Sequence, residues 1–103
     1  MKKVVLKLYD FELAEVIDKN GLFVIDNKKN IEEATKLYPL NMRAYKKGLS
    51  GFVYPLETFF NAFNRKDIIK EANIIEADNI FEKLYKVAGL NIEPINGFYI
   101  IQA

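Results

Sequence analysis

Two Asn-Gly dipeptides, one near each end of the chain, constrain the fold of this sequence more than any other feature. They are Asn20-Gly21 and Asn96-Gly97, and each is flanked by segments rich in apolar residues. Asn and Gly tolerate the positive φ angles of the tightest β-turns, so each dipeptide predicts a β-hairpin. We therefore expect strands near both ends of the chain.

The first hairpin is predicted to belong to a three-stranded meander. Residues 3–9 alternate between two sets of side chains, with the period of two that is typical of a half-buried strand. Residues 12–18 and 22–26 then form the two arms of the hairpin. A helix over residues 11–19, ended by the Asn-Gly pair, is the competing interpretation, and we favour the hairpin.

A first helix is predicted after the meander. Asn30 and Glu33 have the spacing of a capping box, which predicts a helix over residues 31–37. Pro39 should end that helix, because the residue before a proline avoids the helical region. Residues 40–54 then look extended and irregular.

Further helical patterns follow. Pro55 stands at a first helical position. The apolar face of this helix is formed by Leu56, Phe59, Phe60 and Phe63. The pattern resumes over residues 65–72, and a last helix spans Ile80 to Ala88, with Asp78 as its expected N-cap and Gly89 as its expected C′ residue.

Strands at both ends with helices between them predict a single α+β domain over residues 1–103. The N-terminal meander and a C-terminal hairpin, with arms at residues 90–95 and 98–102, should meet in one small sheet or barrel. Pro94 cannot donate a ladder hydrogen bond, so its strand should lie at an edge.

The residue types argue against an enzyme. The chain has no His and no Cys, so the usual proton shuttles, thiolate nucleophiles and zinc ligands are missing. The single serine, Ser50, lies in GLSG, which lacks the spacing of a nucleophile elbow. No Gly-rich phosphate loop is present. We therefore expect no catalytic residues, no metal and no cofactor.

Charge and hydropathy restrict the partners and the compartment. Fifteen basic and 14 acidic residues give a net charge of +1, which is unusual for a dedicated nucleic-acid binder. Lys7, Asp10 and Glu12 interrupt any signal-peptide core, and no run reaches the roughly 18 apolar residues of a membrane span. We expect a cytoplasmic protein that contacts neither a membrane nor nucleic acid directly.

Aromatic residues are concentrated between residues 52 and 65, and two interpretations stay open. The aromatics can form the core of a small domain, or part of the segment can be an exposed surface for a partner. The candidate partner-binding residues are Phe52, Tyr54, Phe59, Phe60, Phe63 and Arg65.

A basic loop precedes the aromatic segment. Arg43, Lys46 and Lys47 surround Tyr45, and we expect a solvated loop. Contact with a phosphate or an acidic partner is the alternative, because Arg and Lys suit such groups.

The order of these segments resembles the N-terminal domain of HipA-type kinases. VVLKLYDFELAEVIDKNGLFVID is similar to the three-stranded opening of that family. LYPLNM is similar to its proline-leucine-serine-leucine turn, with Asn41 and Met42 in place of serine and leucine.

The second half of the chain is similar to the family in part. The residues that open the family's next helix are supplied by Pro55, Phe59, Phe60 and Asn61, with three extra positions after the proline. DNIFEKLYKVAG is similar to the family's Asp-capped closing helix. The chain departs from the family at AFNRKD, where a turn is missing, and at Asn96-Gly97-Phe98, where the family has a Gly-Ala pair.

The resemblance implies a function in a toxin–antitoxin system. In HipBST systems the small protein HipS binds and restrains a separate toxin kinase, HipT, and HipB is the DNA-binding partner. By this resemblance the chain is a HipS-like antitoxin that binds a HipT-like serine/threonine kinase and reaches DNA only through a HipB-like protein. The alternatives are a supporting N-terminal subunit of a split HipA kinase, and an unrelated small inhibitor or adaptor.

Overall fold

An antiparallel meander forms the N-terminal part of the computed structural model, which describes residues 1–46 and 48–103. Its strands are β1 (Val4–Leu8), β2 (Phe11–Asp18) and β3 (Leu22–Asp26). β2 pairs with both neighbours, and Asn20 has a φ of 59°, which suits the tight turn. The predicted meander is confirmed, and residues 11–19 do not form the competing helix because they lie largely in β2.

The helix α1 (Lys28–Leu37) follows the meander and begins earlier than predicted. Its N-cap is Asn27, whose side chain accepts a hydrogen bond from the Asn30 backbone N–H at 3.1 Å. The capping box predicted for Asn30 and Glu33 is therefore wrong. Asn27 caps the helix because β3 ends at Asp26, which makes Asn27 the first residue free to turn.

A second helix, α2 (Pro39–Ala44), follows at once. Pro39 ends α1 as predicted, but it also begins α2, with Tyr38 between the two helices. The expected irregular structure over residues 40–54 is therefore wrong for its first part. Proline is favourable in a first helical turn, and the buried side chain of Met42 anchors α2 in the core.

The chain then reaches the edge of the sheet and returns through helices. The elements are β4 (Val53–Tyr54), α3 (Leu56–Ala62), α4 (Asp67–Asn73) and α5 (Ile80–Ala88). Pro55, predicted as the first helical residue, instead directly precedes α3 as its N-cap. The predicted apolar face of α3 is confirmed, because Phe59, Phe60 and Phe63 are all buried.

The ends of α5 differ from the prediction, although its bounds agree. Asn79, not Asp78, is the N-cap, because its side chain accepts a hydrogen bond from the Glu82 backbone N–H at 2.8 Å. Gly89 ends the helix with a right-handed φ of −72°, so it does not adopt the left-handed C′ conformation. A Cβ at Gly89 would lie 2.5 Å from Nε2 of the flexible Gln102 side chain, which would have to move to make room.

The last strand, β5 (Phe98–Gln102), pairs with β1, so both ends of the chain lie in one sheet. Within the described residues the strand order is β4-β3-β2-β1-β5, with every pairing antiparallel. Lys3 and Ala103 extend the β1–β5 pairing with two backbone hydrogen bonds of 3.2 and 2.9 Å. The predicted α+β class is confirmed.

The first arm of the predicted C-terminal hairpin, residues 90–95, is not a strand. A single bridge joins Ile95 to Phe98 across the Asn-Gly turn, whose φ angles of 52° and 83° are positive as expected. The next rung of a regular hairpin would use the Glu93 carbonyl. That carbonyl instead accepts a hydrogen bond from Arg65 Nη2 at 3.0 Å. The guanidinium thus takes the place of the hairpin ladder.

The two faces of the sheet differ in what covers them. Leu6 of β1 and Ile100 of β5 point toward the helices and belong to the same buried cluster as Phe59 and Leu84. Side chains of the opposite parity form what we call the open face. Several of these side chains are partly or largely exposed to solvent.

The helices are short, and α1 has ten residues. Among the described residues, no helix combines the length and the apolar character that crossing a bilayer requires.

Candidate protein-interaction surface

Three of the candidate partner-binding residues lie in the core. Phe59, Phe60 and Phe63 are fully buried. The Phe59 and Phe60 ring centroids are 5.4 Å apart, and the Phe63 centroid is 5.5 Å from that of Phe98 on β5. These rings therefore pack α3 onto the sheet, and in this fold they present no surface to a partner.

Arg65 is also buried, with 1% of its surface exposed. Its Nε and Nη2 donate to the two carboxylate oxygens of Asp67 at 3.0 and 2.9 Å. Its Nη1 donates to the Phe98 carbonyl, and Nη2 also donates to the Glu93 carbonyl at 3.0 Å. The hydrogen bonds from Arg65 lower the pKa of the Asp67 carboxyl. Arg65 therefore joins the start of α4 to the turn before β5.

The remaining candidates, Phe52 and Tyr54, lie at the edge of the sheet. Phe52 is 61% exposed, Tyr54 is half-buried, and their ring centroids are 6.2 Å apart in an edge-on arrangement. Residues two apart in an extended chain point to the same side, which explains this contact. The surface suggested by the aromatic segment is thus narrowed to these two residues.

The open face extends this surface with residues that sequence reasoning missed. Val53 of β4 is 53% exposed and lies opposite Phe23 of β3. Phe23 in turn lies opposite Ile17 of β2, and Ile25 is 44% exposed two positions along β3. We call these residues together the edge surface: Ile17, Phe23, Ile25, Phe52, Val53 and Tyr54.

A signal for the edge surface is present in the sequence. Residues 22–25 are all apolar, whereas a strand with one solvated face usually alternates. Leu22 and Val24 are buried against the helices, so Phe23 and Ile25 must lie on the open face. A continuous apolar run in a strand of an antiparallel sheet therefore indicates a second apolar face.

The charges around the edge surface are few. The stretch from Gly48 to Leu56 contains no charged residue. Lys19 Nζ lies 4.4 Å from the centroid of the Phe23 ring, and Lys3 Nζ pairs with Glu15 Oε1 at 2.9 Å across β1 and β2. The edge surface is therefore apolar, with Lys19 and the Lys3–Glu15 ion pair at its border.

Asp26 lies beneath the loop that leads to β4. Its Oδ2 accepts a hydrogen bond from the Ser50 backbone N–H at 3.2 Å, while its buried Oδ1 has no partner among the residues the structure describes. Burial raises the pKa of the Asp26 carboxyl. Asp26 thus holds the backbone at Ser50, two residues before Phe52. Its ionised carboxylate is poorly solvated in this position.

The basic segment is not a loop throughout, because Arg43 lies in the last turn of α2. Arg43 and Lys46 are exposed, whereas Lys47 lies outside the described residues. Tyr45 within this segment is buried, and its ring stacks on Phe98 at 6.2 Å. Burial also raises the pKa of the Tyr45 hydroxyl. The segment is therefore held by its tyrosine, with Arg43 and Lys46 in solvent.

The other candidate sites among the described residues are cavities and groups of metal-binding side chains. A cavity of about 480 Å³ lies between α1 and the loop before β4, and its walls include Asp26, Ile31, Thr35 and Ser50. Within residues 1–46 and 48–103, no group of three His, Cys, Asp or Glu side chains is placed to hold a metal ion.

Comparison with known proteins gives no relative for this chain. No model of a protein family matches it, and neither does any curated protein or solved structure at the level of similarity required. The likeness to the HipA N-terminal domain therefore rests on the residues quoted for it above.

Proposed function

We propose that this chain is a non-catalytic, antitoxin-type subunit that binds and restrains a HipT-like serine/threonine kinase. A HipB-like protein would connect the complex to DNA. The sequence resemblance supports the type of partner, and the edge surface supports binding through protein contacts. The observation that carries the proposal is Phe52, a large aromatic side chain that is 61% exposed beside the exposed Val53. Aromatic residues are enriched at binding hot spots, and contiguous exposed apolar patches mark interaction sites.

The residue types of the chain also favour binding over catalysis. The chain has no His and no Cys. The buried ion pair of Arg65 and Asp67 is occupied with structural hydrogen bonds. Asp26 has no histidine or thiol to act with, so its perturbed carboxyl does not form a nucleophile–base pair.

Co-expression with a cognate HipT-like kinase tests the proposal. The wild-type chain should form a stable complex and relieve the kinase's toxicity. Phe52→Ala should weaken the complex by about 2 kcal/mol, roughly thirtyfold in Kd, because a hot-spot aromatic is lost. Leu40→Ala is the matched control, since Leu40 is also a large exposed apolar residue but lies on α2.

The outcomes separate the two parts of the proposal. If the wild-type chain forms no complex and leaves the kinase toxic, the antitoxin function is wrong. If the complex forms but Phe52→Ala and Leu40→Ala bind equally well, the function stands and the edge surface is not the interface.

A further inference from the structure

We propose that the partner docks by adding an extended, apolar segment of its own chain to the free edge of β4, so that the sheet gains a strand. The identity of the partner rests on the proposed function. The mode of docking rests on the geometry of β4 and of the residues beside it.

β4 is the outermost strand and pairs on one side only. Val53 lies opposite Phe23 and Tyr54 opposite Leu22, both on β3. The extended backbone continues into Pro55, which has φ −64° and ψ 152°. In an edge strand every second N–H and C=O points away from the sheet, and these groups are the template for another strand. The chemistry that recognises them is a second extended backbone.

The side chains on both sides of this edge are apolar and exposed. Phe52 and Tyr54 project toward one side of the strand, and Val53 projects toward the open face. A strand added beside β4 would place its own side chains next to these residues on both sides of the sheet and would bury them. The segment that fits is therefore apolar on both of its faces.

The edge is short and is followed by Pro55, but it lacks another usual protection against pairing, a charged side chain. Natural edge strands commonly carry charged side chains, especially lysine, that disfavour a further strand. The chain from Gly48 to Leu56 has no charged residue. The segment that docks should accordingly be uncharged where it faces β4, because an ionised side chain there would lose water without gaining a partner.

The opposite edge of the sheet is largely closed. On β5, the Phe98 N–H and C=O are both bonded to Ile95, and the same carbonyl also accepts from Arg65. Ile100 is buried, and the Gln102 side chain donates to the Tyr85 carbonyl at 2.8 Å. Of the two edges, β4 is the one that offers backbone and apolar side chains together.

β4 is held in place before any partner arrives. The Val53 side chain fills the space where a Cβ on Gly21 would stand, so the turn between β2 and β3 closes directly on the edge strand. The backbone N–H of Gly51 donates to the Val24 carbonyl at 2.9 Å. A strand that is already ordered loses little conformational entropy on binding, which favours docking here.

Amide hydrogen exchange in the complex tests the backbone contact directly. With the kinase bound, the Val53 amide, which points away from β3, should exchange at least about tenfold more slowly than in the free chain, because it gains a hydrogen-bond acceptor. The amides of β5 should be unchanged. Burial of side chains with no slowing at Val53 would overturn strand addition.

A pair of matched variants gives an independent test. Val53→Lys places a charge on the edge strand, and Leu40→Lys places the same charge on α2, at a site that is also exposed. Strand addition predicts at least a tenfold loss of affinity for Val53→Lys and less than a threefold loss for Leu40→Lys. Equal losses, with unchanged melting temperatures, would show that the partner does not dock at the edge strand. Failure of the wild-type chain to bind the kinase at all would overturn the proposed function and this occupant with it.

Discussion

The guanidinium of Arg65 joins two parts of the chain that are distant in sequence, the start of α4 and the turn before β5. It bonds Asp67 at the start of α4 and the carbonyls of Glu93 and Phe98 on either side of the last turn. An arginine close to aromatic residues is typical of an interface hot spot. Here its donors serve internal acceptors, so its effect should be on stability.

Arg65→Ala should lower the free energy of unfolding by about 3 kcal/mol. The substitution removes the charged donor of the buried Phe98 carbonyl and of the partly buried Glu93 carbonyl, and losing a buried hydrogen bond costs roughly 1–3 kcal/mol. Lys66→Ala, an exposed neighbour, is the control and should change stability by less than about 0.5 kcal/mol. Urea denaturation measures both, and equal stability of the two variants would contradict this role of Arg65.

Asp26 carries a charge that the fold tolerates poorly. Its pKa is raised above the ordinary value of 3.8, so the folded state binds the proton more tightly than the unfolded state. Stability contributed by this group is therefore greatest at acidic pH and decreases as pH rises through the folded pKa.

Asp26→Asn should stabilise the fold at pH 7 by on the order of 1 kcal/mol, because the amide removes the charge and keeps an acceptor for Ser50. The gain should shrink as the pH approaches 4, where the wild-type carboxyl is increasingly protonated. Thermal melts of both proteins across this range provide the measurement. A variant less stable than wild type at pH 7 would show that the carboxylate is better paired than its hydrogen bonds indicate.

At the scale of elements, β4 and α3 are neighbours in sequence with opposite surroundings. Val53 of β4 and Phe52 directly before it are exposed to solvent, whereas Phe59 and Phe60 of α3 are buried against the sheet. One aromatic-rich segment thus supplies both an exposed edge and a core face, and the boundary between them is Pro55.

Phe59→Ala should therefore cost about 3–5 kcal/mol of stability, because it leaves a cavity in the core. Phe52→Ala should cost less than about 0.5 kcal/mol, since most of its ring is already in water. Chemical denaturation of the two variants compares identical substitutions on the two sides of Pro55. Similar losses in both would mean that Phe52 is also a core residue.

Elements whose signals are local could be predicted from the sequence. The Asn-Gly turns, the meander and the bounds of α5 depend on neighbours in the chain, and they are found as predicted. The segment 90–95 could not be predicted, because its carbonyl at Glu93 is taken by a guanidinium 28 positions earlier in the sequence. α2 was not predicted, because Pro39 signals the end of one helix and here also begins the next.

The candidate site was predictable only in part for the same reason. Helical spacing identifies the face formed by Phe59, Phe60 and Phe63, but spacing alone does not say whether that face meets the sheet or a partner. Exposure of Phe52 depends on β4 being the outermost strand, which is decided by pairing with β3. Such long-range pairings leave little trace in a single sequence.

At the scale of the whole molecule, the charge is close to balanced. Fifteen basic and 14 acidic residues leave a net charge of +1, and Lys3, Lys36 and Arg65 are paired with carboxylates. Without a large excess of cations, few phosphates of a duplex can be neutralised.

Because of this charge balance, the isolated chain should not bind DNA. It should not bind ATP either, because it has no Gly-rich phosphate loop. We expect no gel shift of operator DNA at physiological salt, and no calorimetric binding of ATP in the low micromolar range. Addition of a HipB-like protein together with the kinase should produce a gel shift of the operator DNA. A shift by the chain alone, or its autophosphorylation with ATP, would contradict the proposed non-catalytic antitoxin function.

The pairing of Lys3 with Ala103 has a practical consequence for handling the protein. Because these residues are joined by backbone hydrogen bonds, the two ends of the sequence lie about one strand spacing apart. They are at the β1–β5 side of the sheet, and β4 is at the other side. A tag, a fluorophore or a resin attached through either end is thus remote from β4, and a short linker between the ends would allow a circular permutant to be made without touching that edge.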